Sequence, residues 1–246
     1  MMISHPIILK CPYCGGLRRI YSIRSGNTIG RTLWSDYKVH LPMLPHVSNV
    51  LRCPVCKRYH FYDSSQIVGE CRSWGNASWG NLSYWSLKEA MEQLKPVGND
   101  EMMLRMLIHW AYNDLYWKMS ELEYYTDDFN TQRPYFIQNA LRLISLNPDK
   151  PLFCAELYRE IGDFDECLKL LTRIKKEDLS ANEQVRVVEI IEKAEKQDSM
   201  IYAIIVGRNN PIRIPILDDD DTQYIYDPNN DPEEKDLFSL FGDNID

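Results

Sequence analysis

The chain has 246 residues, a formal charge of −8 and 44% apolar residues, enough for a sizeable core in one or two domains. No run approaches the ~18 apolar residues of a membrane span, and Ile7-Ile8-Leu9 is far too short for the apolar part of a signal peptide. The expectation is therefore a cytoplasmic protein with no membrane contact. Charge is placed unevenly: the first 80 residues hold ten Lys or Arg against three Asp or Glu, and the rest hold eighteen against thirty-three. A basic N-terminal part is joined to an acidic body.

The first element in chain order is Cys11-Pro12-Tyr13-Cys14-Gly15-Gly16, and its counterpart is Cys53-Pro54-Val55-Cys56-Lys57-Arg58. Two residues between cysteines let one tight turn aim both sulfurs at the same ion, and two such pairs supply a tetrahedral set. Gly15 and Gly16 are expected to allow positive φ where the chain leaves the ion. Strand-like runs enter and leave each turn: Pro6-Ile7-Ile8-Leu9-Lys10 and Leu17 to Ile23 around the first, Val50-Leu51-Arg52 and Tyr59-His60-Phe61-Tyr62 around the second. Strand, knuckle, strand, written twice, resembles the zinc-ribbon family over roughly residues 5–63. The resemblance implies one structural Zn2+ held by Cys11, Cys14, Cys53 and Cys56, with no open position for water or substrate. An ~60-residue β module has little core of its own, so the metal acts as a staple. His60 is expected in a supporting or surface role. One departure from the pattern is the 38 residues between Cys14 and Cys53, against about 15–20 usually. The excess, around 25–49, must be an inserted hairpin or loop. Cys-Pro-Tyr-Cys is also the tetrapeptide of glutaredoxins, where a helix follows and lowers the first thiol's pKa. Here two glycines and a β-rich run follow instead. Cys71, Cys154 and Cys167 are left over, which suits a reducing compartment.

Within the insertion, Arg24 to Gly30 reads as a hairpin tip and lacks the ending of a phosphate loop. Arg31 to Tyr37 reads as a further strand and turn. Leu41-Pro42-Met43-Leu44-Pro45 is extended, because paired prolines forbid a helix. The insertion packs on the ribbon or the helices, or serves as a partner-binding loop. Residues 64–83 read as a linker rich in Ser, Gly and Asn that also carries Trp74 and Trp79. These tryptophans glue the ribbon to the helices, or offer a stacking platform for single-stranded nucleic acid.

From Ser86 the apolar period becomes helical. Ser86-Leu87-Lys88-Glu89 fits a capping box, with Leu87, Ala90, Met91 and Leu94 as the stripe and Pro96 and Gly98 as the stop. Asp100 caps a long helix over about 101–124. Leu104, Ile108, Ala111, Leu115, Met119 and Leu122 form one of its stripes; Met103, Met106, Trp110, Trp117 and Tyr124 form a second. His109 lies between them and reads as a core or interface histidine. Pro134 is expected in the first turn of the next helix, which ends near Leu146. Pro151 opens another, stopped by Gly162. Capping boxes at Asp163 to Glu166 and Ser180 to Glu183 open two more.

The run from Ala155 to Leu171 resembles the helix–turn–helix of a tetratricopeptide repeat, with a small residue at Ala155, glycine at Gly162, an aromatic at Phe164 and a small residue at Cys167. Candidate second helices at Ala140-Leu141 and Cys167-Leu168 are 27 residues apart, against the family's 34. The resemblance implies a short helical array capped by the long helix. Met200 to Val206 extends the last helix or forms a strand, 212–217 is extended, and 218–246 is an acidic tail with an apolar island at Leu237 to Phe241.

The overall expectation is an α+β chain: a ribbon over 1–63, an aromatic linker over 64–83, a helical domain over 84–217 and a tail over 218–246. No metalloprotease, hydrolase, phosphate-loop or dinucleotide motif occurs, so no catalytic residue is expected. The parts read as a zinc-binding interaction scaffold for a protein or peptide partner. One alternative is a nucleic-acid-associated factor using Arg18, Arg19, Arg24, Arg31, Lys57 and Arg58. The other is a thiol–disulfide oxidoreductase built on Cys11 and Cys14.

Overall fold

Six short strands fill the N-terminal quarter of the chain: β1 (Met2–Lys10), β2 (Leu17–Ser25), β3 (Thr32–Trp34), β4 (Val39–His40), β5 (Val50–Arg52) and β6 (Tyr59–Phe61). The computed structural model describes residues 2–42, 44, 48–121 and 126–204, with side chains except at 116–121 and 126–128. The expected strand at 212–217, the acidic tail and its apolar island lie outside the described residues, as do the stripe side chains of Trp117, Met119, Leu122 and Tyr124.

β1 and β2 pair antiparallel, and so do β5 and β6, so each Cys pair sits at the turn of its own hairpin. Leu9, Ile20 and Leu51 are buried between the two hairpins, with Ile7 and Tyr62 packed against them. The β1–β2 register shifts between Ser4 and Ile7, where Pro6 has no N–H to give the ladder.

Residues 64–83 do more than link. Asp63 caps a 3-10 turn by accepting from the Ser65 N–H at 2.8 Å. The next strand, β7 (Ile67–Glu70), pairs antiparallel with β1, giving a sheet of order β2-β1-β7. On the opposite edge, Tyr21 N donates to Ser78 O at 3.0 Å. Trp79 and Trp74 lie against Tyr21, with ring centroids 4.9 and 6.0 Å away, and Trp74 also faces His5. These rings therefore pack on the sheet.

The insertion holds a hairpin, with the expected strand and turn at Arg31 to Tyr37 formed by β3 and its turn into β4. Arg24 to Gly30 is not a hairpin tip, because β3 pairs with β4 and with β8 (Ala203–Ile204) rather than with β2. The β3–β4 turn is closed by Trp34 N donating to Lys38 O at 2.9 Å, and Tyr37 adopts φ 65° within it. Of the alternatives at Met200 to Val206, residues 203–204 take the strand.

The first helix, α1 (Tyr84–Leu94), starts earlier than the expected Ser86 because Ser83 is its cap, accepting from Ser86 N at 3.2 Å. It stops at Lys95, which is left-handed (φ 47°), just before Pro96. α2 (Gly98–Glu121) runs 24 residues, or about 36 Å at 1.5 Å per residue. α3 (Thr126–Leu146) contains Pro134 in its interior rather than its first turn. α4 (Pro151–Ile161) ends at Gly162, whose φ of 87° is the left-handed cap expected there. α5 (Phe164–Leu171) is capped by Asp163, but Glu166 pairs with Lys169, so the reciprocal half of the box is open. α6 (Ala181–Glu195) carries the complete Ser180–Glu183 box.

One apolar cluster joins Val50 and Tyr59 of the second hairpin to Tyr84, Leu87, Leu104, Ile108, Tyr112 and Phe136 of α1–α3. A second joins α4, α5 and α6 through Leu152, Ala155, Cys167, Leu171, Ile190 and Ala194. Between α2 and α3, Glu101 accepts two bonds from Arg142, at 2.8 and 2.9 Å, and one from Arg105 at 2.8 Å.

Candidate metal centre

The two knuckles repeat one hydrogen-bond pattern. In the first, Cys11 N donates to Gly16 O (2.9 Å) and Gly15 N to Cys11 O (3.0 Å). In the second, Cys53 N donates to Arg58 O (2.8 Å) and Lys57 N to Cys53 O (3.0 Å). Equivalent positions carry the positive φ: Gly15 at 70° and Lys57 at 63°. Gly16 does not have positive φ, contrary to expectation. It is small for another reason: a Cβ there would sit 2.8 Å from Val55 Cγ2 and 3.2 Å from Cys14 Sγ. The second glycine lets the two knuckles close on each other.

That closure brings the four predicted ligands together. Cys11, Cys14, Cys53 and Cys56 place their sulfurs within 4.8 Å of one another, so the group could hold one metal ion. Across the knuckles, Cys11 and Cys56 are 3.8 Å apart and Cys14 and Cys53 are 3.7 Å apart. These separations are far beyond the ~2.05 Å of a disulfide bond, and the cysteines are free. Gly16 N donates to Cys14 Sγ and Val55 N to Cys53 Sγ, both at 3.4 Å. Burial works against ionising Cys53, but the N–H groups of Cys56 and Val55 outweigh it and bring the thiol down to about 7. The Arg58 backbone bond favours the Cys56 thiolate, but burial and the neighbouring sulfurs of Cys14, Cys53 and Cys11 outweigh it and drive the thiol up to about 11. Tyr13 and Val55 stand exposed on the outer surface of the knuckles, and Arg58 lies over the Tyr13 ring at 5.4 Å.

His60 is buried rather than on the surface, its Nδ1 3.1 Å from Phe61 O, and burial lowers its pKa. Cys154 and Cys167 are buried, and Cys71 is partly so.

A second polar group was invisible in the sequence. His109, fully buried in α2, lies 2.8 Å from Glu160 of α4 and stacks on Phe136. Asn113 donates to Glu160 at 3.1 Å and to Asp36 of the β3–β4 turn at 2.9 Å. Burial and the neighbouring Glu160 push Asp36 up to about 6. Burial disfavours a charged His109, yet Glu160 prevails and its pKa is raised. Next to it, Arg159 of α4 makes a bidentate pair with Glu156 (2.9 and 2.6 Å) and donates to the carbonyls of Asp198 and Met200 (2.6 and 2.8 Å). Arg186 of α6 reaches Ser35 O at 3.1 Å and covers the Tyr37 ring at 4.0 Å. The Ser35–Tyr37 turn thus sits against α2, α4 and α6.

The basic residues of the N-terminal part divide by element. Arg18 donates to Arg52 O and Ser78 Oγ, each at 3.1 Å, and Arg19 to Gly75 O at 2.9 Å. Lys57 donates to Pro54 O, closing the second knuckle. Arg24 lies at the far end of β2 and Arg31 in the insertion, away from this group along the chain.

No family model, curated protein or solved structure matches the chain.

Proposed function

We propose that the chain is a zinc-stapled interaction protein without catalytic function. It would consist of an N-terminal zinc ribbon joined to a short tetratricopeptide-like helical array. The observation that carries this reading is the spacing of the four sulfurs. A regular tetrahedron with zinc–thiolate bonds of ~2.3 Å has edges of about 3.8 Å. Two of the cross-knuckle separations, 3.8 Å for Cys11–Cys56 and 3.7 Å for Cys14–Cys53, match it, and all four sulfurs lie within 4.8 Å of one another. A divalent cation among them would take all four as thiolates, which removes the competition that separates Cys53 from Cys56. With four sulfurs bound, no ligand position remains for chemistry, so the ion contributes to folding alone.

The same geometry speaks against disulfide exchange. Cys14 is followed by β2 and not by a helix, so no helix N-terminus activates Cys11. The chain's own Ser35–Tyr37 turn covers part of α4 and α6 through Arg159 and Arg186. The N-terminal β region, with its excess of Lys and Arg, is the surface this reading offers to a partner.

The test is metal analysis of the purified chain. One zinc per chain, with cobalt exchange giving the absorption of a tetrahedral thiolate site, is expected. Iron, no metal, or disulfide-exchange turnover dependent on Cys11 would overturn the reading.

A further inference from the structure

Beside the first knuckle is a surface pocket of about 320 Å³. Arg18 and Arg52 line it together with Ser78, Trp79 and Asn81. Arg18 has no carboxylate partner among the described ion pairs and is held by its bonds to Arg52 O and Ser78 Oγ; Arg52 donates from Nε to Lys57 O at 3.2 Å, lies over the Tyr59 ring and has Glu89 at 3.9 Å. Trp79 continues from the pocket into the aromatic row formed with Tyr21, Trp74 and His5.

The row is held in place before any ligand arrives. Arg19 fastens the loop that presents Trp74 by donating to Gly75 O at 2.9 Å, and Ala77 N closes the turn on Trp74 O at 3.2 Å. Trp74 remains 41% exposed. Such pre-ordering reduces the cost of binding.

The N-terminal part around the row is poor in acids, with Glu70 exposed on β7 and Glu89 of α1 3.9 Å from Arg52. The first 80 residues carry three acids. Asp36 is buried among the helices, Asp63 is spent on its own 3-10 turn, and Glu70 ends β7. An acid-poor surface with arginines beside stacked aromatics fits a polyanion that carries flat rings.

We propose that this pocket and aromatic row bind single-stranded nucleic acid, a phosphate lying between Arg18 and Arg52 and successive bases stacking from Trp79 toward Trp74. The site rests on the interaction-protein reading above and gives its partner a chemical class. Single strands are preferred because paired bases have no free faces for the rings. Arginines fit the phosphate through bidentate hydrogen bonds.

The experiment is fluorescence anisotropy of the full chain with labelled oligo-U and oligo-dT of about 12 nucleotides, at several salt concentrations, with a duplex of equal length as competitor. Zinc content is measured on every sample. Binding of either single strand is expected, with the duplex weaker. Trp74→Ala should weaken binding about 5- to 150-fold, the equivalent of ~1–3 kcal/mol per stacked base, and leave the salt slope unchanged. Arg52→Gln should reduce the slope of log K against log salt by about 0.7, the loss of one phosphate contact on a single strand. Both variants should keep their zinc. A zinc-loaded chain that binds neither strand at low salt, that binds duplex equally well, or whose Trp74→Ala variant binds undiminished overturns the proposal and leaves the interaction reading standing. A chain without zinc that also binds neither strand removes both.

Discussion

Arg159→Met tests whether the buried ion pair holds the insertion in the helices. Arg159 and Glu156 are 0% and 1% exposed. Burial opposes the guanidinium's charge, and Glu156 overrides it, so the pKa of Arg159 is raised. Deleting the arginine leaves a carboxylate in a dry site, which costs ~3–5 kcal/mol. It also strips the carbonyls of Asp198 and Met200 of their donor, at ~1–3 kcal/mol each if water cannot reach them. Against a total stability of ~5–15 kcal/mol, the variant should be near unfolding. The charge part alone predicts a fall in Tm of roughly 6–20 °C, from ~2–4 °C per kcal/mol for a chain this size. The milder Arg159→Lys keeps the charge but loses the bidentate fit, so it should fold and fall in between. Adding Glu156→Leu to Arg159→Met removes the stranded carboxylate and should recover the charge part, leaving only the carbonyl cost. Urea denaturation of the wild type, Arg159→Met, Glu156→Leu and the double variant forms the cycle, and hydrogen exchange at Leu33 and Ile204 reports the β3–β8 pairing that the arginine secures. A loss under ~1 kcal/mol for Arg159→Met, or a double variant as unstable as the single, would refute the argument.

Cys14→Ser or Cys56→Ser should abolish stoichiometric zinc, and the loss should spread beyond the β region, because Val50 and Tyr59 belong to the same apolar cluster as α1–α3. Near-ultraviolet circular dichroism of the helical aromatics checks this, and an unchanged spectrum would contradict it. Gly16→Ala should also release metal, since its Cβ would press on Val55 and Cys14 at 2.8 and 3.2 Å. Lys57→Gly should instead stabilise the fold by about 1 kcal/mol by relieving a left-handed φ, seen as a higher urea midpoint with zinc retained. Hydrogen bonds from Arg142, opposed by burial and joined by Arg105, hold the Glu101 carboxyl at about 2. The unfolded value is ~4.3, so this stabilisation is full above that pH and is lost as pH falls through about 2. Glu101→Gln should flatten that acid limb in urea midpoints taken between pH 5 and 2.

What the sequence by itself determined was local. Two cysteines at a spacing of three, with strands before and after, favour a knuckle, and both turns formed. Helix stops at Lys95 to Pro96, Leu146 and Gly162, and the Ser180–Glu183 box, follow from backbone groups within a turn of each residue. Tertiary structure decided the rest, because the deciding partner lies far along the chain. Ile67 to Glu70 is too short to read as a strand until β1 supplies its hydrogen bonds. His109 had no visible acid because Glu160 and Asp36 arrive from another helix and from the insertion. Ser35 to Tyr37 looks like any turn, yet its polar groups are sites for Arg159 and Arg186 once α4 and α6 surround it. Trp74 and Trp79 needed the same knowledge: their composition allowed either a glue or a platform, and only the contacts of Gly75 and Ser78 with β2 laid them on Tyr21. Short-range geometry is encoded residue by residue, whereas burial of a polar group is a property of everything that closes over it.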